Sequence, residues 1–296
     1  MINENEYLIF VVEEKCNSKC NICCVGGAEG PLIDLSAISI PTFKKFLEVI
    51  PQGKYTGVKF SGGEVTLNPQ LAEYASHARD KGFKNIMIQT NARALADLRK
   101  AKELKAAGIN QFFVSFHAAD NDLSDKITGR AGAHAQTLKG LENLRQLDMT
   151  VITNTVMNAM NYMVLPDIAR VLVPFGNITE MQFWGYSPMS LKAFELVLPY
   201  GVAAPYLNEA IKYLISHDKE ICIKYFPVCL LEDPYKKYHN NDQPIVLGIK
   251  DNYIDRSRAC NFQNYPCCEG TDCKGLPEVY INSLSPDGWM PLMTNI

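Results

Sequence analysis

Residues 7–24 read YLIFVVEEKCNSKCNICC. The apolar run Tyr7–Val12 has the length and β-branched, aromatic content of a buried strand, and the charged turn after it opens into a cysteine loop. Working outward, five more runs of the same kind follow: Gly57–Ser61, Asn85–Thr90, Phe112–Phe116, Val151–Val156 and Ile178–Trp184. Between them lie helical patterns. Leu71, Tyr74, Ala75 and Ala78 share a face, with Asn68 as the expected N-cap, Pro69 in the first turn and Gly82 as the stop. Leu95, Leu98, Ala101 and Leu104 make a second stripe ending at Gly108; Leu138, Leu141 and Leu144 mark a third. Ile168 to Phe175 and Pro205 to His217 supply two more.

Six β-then-α units in succession predict a parallel sheet with helices outside it. Right-handed crossovers curl such a sheet, so the expected fold class is α/β, a partial (β/α)6 TIM-type barrel. A doubly wound open sheet has the same periodicity and stays open at this point. In either arrangement ligands bind at the carboxyl ends of the strands. The chemically distinctive residues lie there: the cysteine loop, Ser61-Gly62-Gly63-Glu64, Thr90-Asn91, and Ser115 with His117. His77, His134 and His217 fall in or beside helical patterns and are expected to face solvent. From about Ile221 the chain turns rich in Pro, Tyr, Asn, Asp and Cys and loses helical periodicity. The expected division is therefore a barrel over residues 1–220 and a small metal-stabilised extension over 221–296.

The net charge is −3 and no dense Lys/Arg stripe occurs, which argues against nucleic acid or an anionic membrane as partner. The N-terminus has no basic stretch ahead of a long apolar one, and no apolar run approaches the ~18 residues of a membrane span. A cytoplasmic location is expected. Ten cysteines in a reducing compartment call for metal or thiol chemistry rather than disulfides. They cluster: Cys16, Cys20, Cys23 and Cys24 near the start, then Cys222, Cys229, Cys260, Cys267, Cys268 and Cys273, with none between. A structural zinc needs four ligands, and Cys16-x3-Cys20-x2-Cys23 offers three. A [4Fe–4S] cluster on three thiolates keeps one iron open.

On these residues the chain resembles the radical S-adenosylmethionine (radical SAM) superfamily, whose loop after the first barrel strand has this cysteine spacing. Gly62-Gly63-Glu64 after Val58-Lys59-Phe60-Ser61 is similar to the family's GGE element, which meets the amino group of the methionine moiety. The resemblance covers roughly Tyr7 to Trp184. It implies that Cys16, Cys20 and Cys23 hold a [4Fe–4S] cluster and that Gly62, Gly63, Glu64, Thr90, Asn91, Ser115, Arg130 and Asn154 contact S-adenosyl-L-methionine. Ser115 resembles the fourth-strand serine of relatives, although His117-Ala118 departs from the Asp-Gly often found there. Arg130, in Ile127-Thr128-Gly129-Arg130, matches an arginine that pairs with the methionine carboxylate, with a solvent-facing role as the alternative. For Asn154 the alternative is a satisfied buried amide.

The implied chemistry is reduction of the cluster by an external flavodoxin- or ferredoxin-type donor, cleavage of the sulfonium to a 5′-deoxyadenosyl radical, and hydrogen abstraction from substrate. The later cysteines resemble the compact SPASM or twitch extensions. That likeness implies a second [4Fe–4S] cluster on Cys229, Cys260, Cys267 and Cys273, with Cys268 as alternative to Cys267 and a zinc ribbon-like site as the competing reading. Cys222, on a predicted strand Ile221–Tyr225, is a candidate hydrogen-atom donor or else a packing residue. Auxiliary clusters are frequent in members that modify ribosomally made peptides, so a peptide substrate is expected, by epimerisation or by thioether or carbon–carbon bond formation. Six residues precede the first strand, so no fused leader-recognition domain is expected. A small-molecule enzyme of cofactor, nucleoside or sugar metabolism is the second reading, and a non-catalytic metal-binding protein a remote third.

Overall fold

The structure is a computed structural model that describes residues 6–23, 25, 35–51, 53–186, 195–240, 245–247, 258–259 and 276–277. Its core is one parallel sheet. The expected strands appear as β1 (Tyr7–Glu13), β2 (Gly57–Gly62), β3 (Asn85–Thr90), β4 (Gln111–Ser115), β5 (Thr150–Met157) and β6 (Ile178–Gly185). Two strands join them: β7 (Glu220–Lys224) beside β6, and β8 (Ile245–Leu247) beside β1. The spatial order is β7-β6-β5-β4-β3-β2-β1-β8. A doubly wound sheet reverses its order at a switch point; β1 to β7 run in sequence order, as a partial barrel does. The sheet thus takes in residues on both sides of position 220. β7 continues the alternation of apolar residues, and β8 covers the edge of β1 that would otherwise leave its backbone groups unpaired. Arg258–Ala259 and Leu276–Pro277 form a separate antiparallel pair.

Among the described residues seven helices flank the sheet: α1 (Ile40–Val49), α2 (Leu71–Asp80), α3 (Leu98–Ala106), α4 (Asn121–Thr128), α5 (Ala133–Gln146), α6 (Leu165–Leu172) and α7 (Tyr200–Ile215). Period-two alternation sends Leu8, Phe10, Val58, Phe60, Ile86, Ile88, Phe112 and Val114 outward into a continuous helix-packed core. Phe43 of α1 packs edge-on against Phe10 and Phe60, with ring centroids 4.8 and 5.6 Å apart. Burying such a ring stabilises the fold by about 1.5–3 kcal/mol. The opposite set of side chains fills the barrel interior, where Tyr7, Met87, Phe113 and Ile152 form their own cluster. Lys59 belongs to this inner set and lies with its Nζ 3.6 Å from the centre of the Phe113 ring.

Local details depart from expectation. α2 begins after Gln70, which makes no side-chain cap. Asn68 instead accepts from Gln70 N–H (2.8 Å) and donates to Val12 O (2.6 Å), tying the helix approach to β1. α7 starts at Tyr200, so Pro205 lies inside the helix instead of opening it. His134 is not solvated: it is buried, 5.4 Å from the Phe116 ring. No helix of the described residues is long and apolar enough to cross a membrane.

Candidate active site

The tandem glycines join the first two strand ends. Gly62 has φ +142°, and a Cβ there would lie 2.0 Å from Glu13 O. At Gly63 a Cβ would lie 2.2 Å from Lys15 O. Only glycine lets these backbones come so close. The contact is used, because Gly63 N–H donates to Glu13 O (2.8 Å) and Glu64 N–H to Lys15 O (2.7 Å). The glycine turn therefore seats the start of the cysteine loop.

Glu64 is buried, and its carboxylate accepts four hydrogen bonds within the protein. Oε1 takes Thr66 N–H (3.1 Å), Thr66 Oγ1 (2.6 Å) and Thr90 Oγ1 (2.6 Å), while Oε2 takes Asn91 N–H (2.7 Å). The next links run from the β3 end to the loop. Asn91 Nδ2 donates to Asn17 Oδ1 (2.7 Å), and Arg93 Nη1 to Asn17 O (2.7 Å) and Ser18 Oγ (2.9 Å). The far side of the loop rests on the end of α4: Lys19 N–H and Asn21 N–H donate to Thr128 O and Ile127 O, each at 2.9 Å. These are orphan helix carbonyls, satisfied here by the loop.

A cavity of about 250 Å³ opens at the carboxyl ends of the strands. Cys16, Cys20, Cys23, Gly62, Gly63, Glu64, Thr90, Asn91, Ser115 and Asn154 all line it. Ten of the residues expected at the site are therefore brought together. Arg130 does not line it; its Nε donates to Asn17 O at 3.1 Å, and the residue is exposed. Cys222 is buried on β7 opposite Gln182 and is not among the lining residues. Cys229 is half-buried in a short turn after β7. Cys24, Cys260, Cys267, Cys268 and Cys273 lie outside the described residues.

Sequence reasoning missed the wall formed by Trp184, Tyr186 and Tyr225. Trp184 and Tyr225 meet edge-to-face at 5.8 Å, and Tyr225 holds a left-handed φ of +57°. Strand ends carrying three aromatics were the available signal. His117 lines the same cavity, and its Nδ1 faces Val156 N–H at 3.3 Å. Burial pushes its pKa down to about 4, so the ring is neutral near pH 7. With Nδ1 accepting, the neutral ring carries its proton on Nε2.

The cysteine loop fits an iron–sulfur cluster. Burial pushes the Cys20 thiol up to about 12, with Cys23 and Cys16 adding to the rise; Cys16 is raised too, chiefly by burial. Three thiolates so placed need a strongly positive group among them, and iron ions supply one. Ser18 N–H and Val25 N–H already point at the sulfurs of Cys16 and Cys23, both at 3.4 Å. Among the described residues no three Cys, His, Asp or Glu groups are set to hold a single ion. A cluster asks something different, one thiolate per iron. Asn154 Oδ1 is buried and has no hydrogen-bond partner, an unmet acceptor at the cavity wall.

The fold and this site define an iron–sulfur enzyme that binds S-adenosylmethionine, and the chain belongs to the radical SAM superfamily, whose family model matches residues 11–172. It is 27% identical over 187 residues to a "PqqA peptide cyclase" of Bradyrhizobium diazoefficiens, covering 61% of this chain and 47% of that one. A "Probable GTP 3',8-cyclase" of Saccharolobus solfataricus is 31% identical over 157 residues, covering 53% of this chain and 49% of its own length. The chain thus spans about half the length of the curated relatives it matches. Among solved structures, Streptococcus suis SuiB bound to S-adenosylmethionine superposes with a TM-score of 0.60 at 14% identity, covering 73% of this chain and 50% of that one. That likeness is one of fold.

Proposed function

We propose that this enzyme modifies a ribosomally made peptide, by epimerisation or by forming a thioether or carbon–carbon bond. The observation that carries this reading is the likeness to proteins named for peptides: the "PqqA peptide cyclase" and SuiB, one structure of which holds its precursor peptide SuiA. The likeness to a "Probable GTP 3',8-cyclase" favours the second reading, a small-molecule substrate.

When bound, the reduced cluster supplies the electron that cleaves S-adenosylmethionine to methionine and a 5′-deoxyadenosyl radical. The chain's own residues bind and orient. Cys16, Cys20 and Cys23 would each take one iron. The backbone of Gly62 and Gly63 and the Glu64 carboxylate would receive the methionine ammonium, whose charge suits a buried carboxylate. Thr90, Asn91 and Ser115 would border the same moiety, and Asn154 Oδ1 would accept from it. Arg130 would have to leave Asn17 O to reach a carboxylate. Trp184, Tyr186 and Tyr225 would exclude water from the side where substrate enters. Cys222 would need a path from its buried position to return a hydrogen atom; packing is the simpler role.

The proposal extends to an auxiliary cluster carried by the part of residues 221–296 outside the sheet strands β7 and β8, with Cys229, Cys260, Cys267 and Cys273 as ligands and Cys268 as substitute for Cys267. It includes a flavodoxin- or ferredoxin-type electron donor and a cytoplasmic setting. A direct test is to incubate the reduced, iron-loaded protein with the product of any short precursor gene beside its own, in deuterated solvent. A mass change in the peptide, or deuterium at a Cα, supports the reading. An unchanged peptide, alongside 5′-deoxyadenosine formation driven by a small metabolite, would replace it with the second.

A further inference from the structure

Arg93 has no part in the sequence reading, yet its side chain reaches into the cysteine loop. It follows Ala92, which has φ +58° and packs closely on Gly140, where an added Cβ would lie 2.3 Å from Ala92 O. From that turn Nη1 bridges Asn17 O and Ser18 Oγ, and Nε donates to Gln136 Oε1 on α5 at 2.7 Å. The guanidinium is thus fixed at both ends, one on the loop between Cys16 and Cys20, one on a core helix. Among the described residues its three hydrogen-bond partners are neutral oxygens, and no carboxylate there pairs with it. Arg93 and Cys20 line one small cavity together with Ser18, the residue that Arg93 grips, which puts the charge close to Cys20.

We propose that Arg93 is a positioning residue for the iron–sulfur cluster, fixing the three-cysteine loop and holding a positive charge beside Cys20 that eases one-electron reduction. Reduction adds one negative charge to the cluster, and the electron comes from the external donor. A nearby fixed cation stabilises the more negative state, and cluster potentials follow local charge and hydrogen bonding. Arginine suits both tasks, since its fork is rigid and its charge permanent. Lysine would keep the charge and lose the two-point grip.

The inference rests on the loop holding the cluster, and that premise fails separately: wild-type protein would then load no iron at the loop. The test uses full-length, anaerobically reconstituted protein with Arg93→Gln and Arg93→Lys. Iron content is measured first. An anaerobic redox titration followed by electron paramagnetic resonance then reads the cluster whose signal changes on adding S-adenosylmethionine. Arg93→Gln should shift the reduction equilibrium roughly tenfold against the reduced form, about 59 mV to lower potential for one electron. Arg93→Lys should hold the wild-type potential while losing iron faster to a chelator. A purely structural role would leave the potential of loaded Arg93→Gln unchanged, and that result overturns the proposal. Equal shifts in both variants also overturn it, because charge is then not the cause. If Arg93→Gln cannot be loaded, Arg93→Lys decides alone: an unchanged potential with faster iron loss upholds the proposal, and a tenfold shift refutes it.

Discussion

Gly63→Ala isolates the steric role of the glycine turn. Gly62 needs its unusual φ, so a substitution there mixes strain with collision; Gly63 has no such φ, and alanine can adopt its backbone. What alanine cannot do is keep its neighbours. The new Cβ would lie 2.2 Å from Lys15 O, 2.6 Å from Lys15 C and 2.8 Å from Glu14 O, where ordinary contact begins near 3.4 Å. The atoms in the way are backbone, so the loop must move by more than 1 Å in the direction that stretches Glu64 N–H to Lys15 O. Overpacking of this kind costs about 1–3 kcal/mol, and a weakened hydrogen bond about 0.5–1.5 more. The expected loss is about 2–4 kcal/mol, or roughly 3–6 °C in melting temperature at an unfolding entropy of about 2.1 cal/mol/K per residue. The assay is an anaerobic melt of the iron-free protein, followed by iron and sulfide counting after reconstitution. Gly176→Ala is the control, because nothing lies within 4 Å of its added Cβ. Wild-type melting and wild-type iron loading in Gly63→Ala would refute the reasoning that the glycines seat the cysteine loop.

Glu64→Gln should cost about 2–3 kcal/mol, since an amide NH₂ must then face a hydroxyl or N–H that now donates to the carboxylate; denaturant unfolding of the iron-free protein measures it. His117 links stability to acid. Its pKa is about 4 when folded and near 6.5 when unfolded, so the unfolded chain binds more protons between those values and stability falls as pH drops through that window. The His117→Gln variant should lack about 2 kcal/mol of the wild-type loss between pH 7.5 and pH 5; parallel curves for the two proteins would show that the ring is not buried as described. Iron counting should return about eight irons per chain if a second [4Fe–4S] cluster is present, falling to about four in Cys260→Ala. Four irons with bound zinc in the wild type would favour the zinc reading.

The strands were legible because each carries its own local signal, and all seven expected ones, Ile221–Tyr225 included, appear within a residue or two of their predicted ends. The cavity was legible for a related reason: a barrel gathers strand ends, so motifs placed there converge without any knowledge of side-chain contacts. Arg93 was not legible, since its partner Asn17 lies 76 positions away and nothing local marks a guanidinium as a clamp. Neither was the satisfied state of Glu64, whose four donors come from two strand ends. Asn68 reads as a helix cap in sequence, and only the approach of Val12 O diverts its side chain. α1 has the same kind of buried stripe as α2, with Ile40, Phe43 and Leu47 inside, but the cysteine loop and the residues after it separate it from β1, so spacing did not mark the two as one unit.

The central claim is that Cys16, Cys20 and Cys23 make this chain a working radical enzyme. Its most direct test is 5′-deoxyadenosine release from anaerobically reconstituted, chemically reduced protein supplied with S-adenosylmethionine, compared with Cys16→Ala. The wild type is predicted to form 5′-deoxyadenosine and methionine, and the variant none. Iron-loaded, fully reduced wild-type protein that leaves S-adenosylmethionine intact would contradict the account.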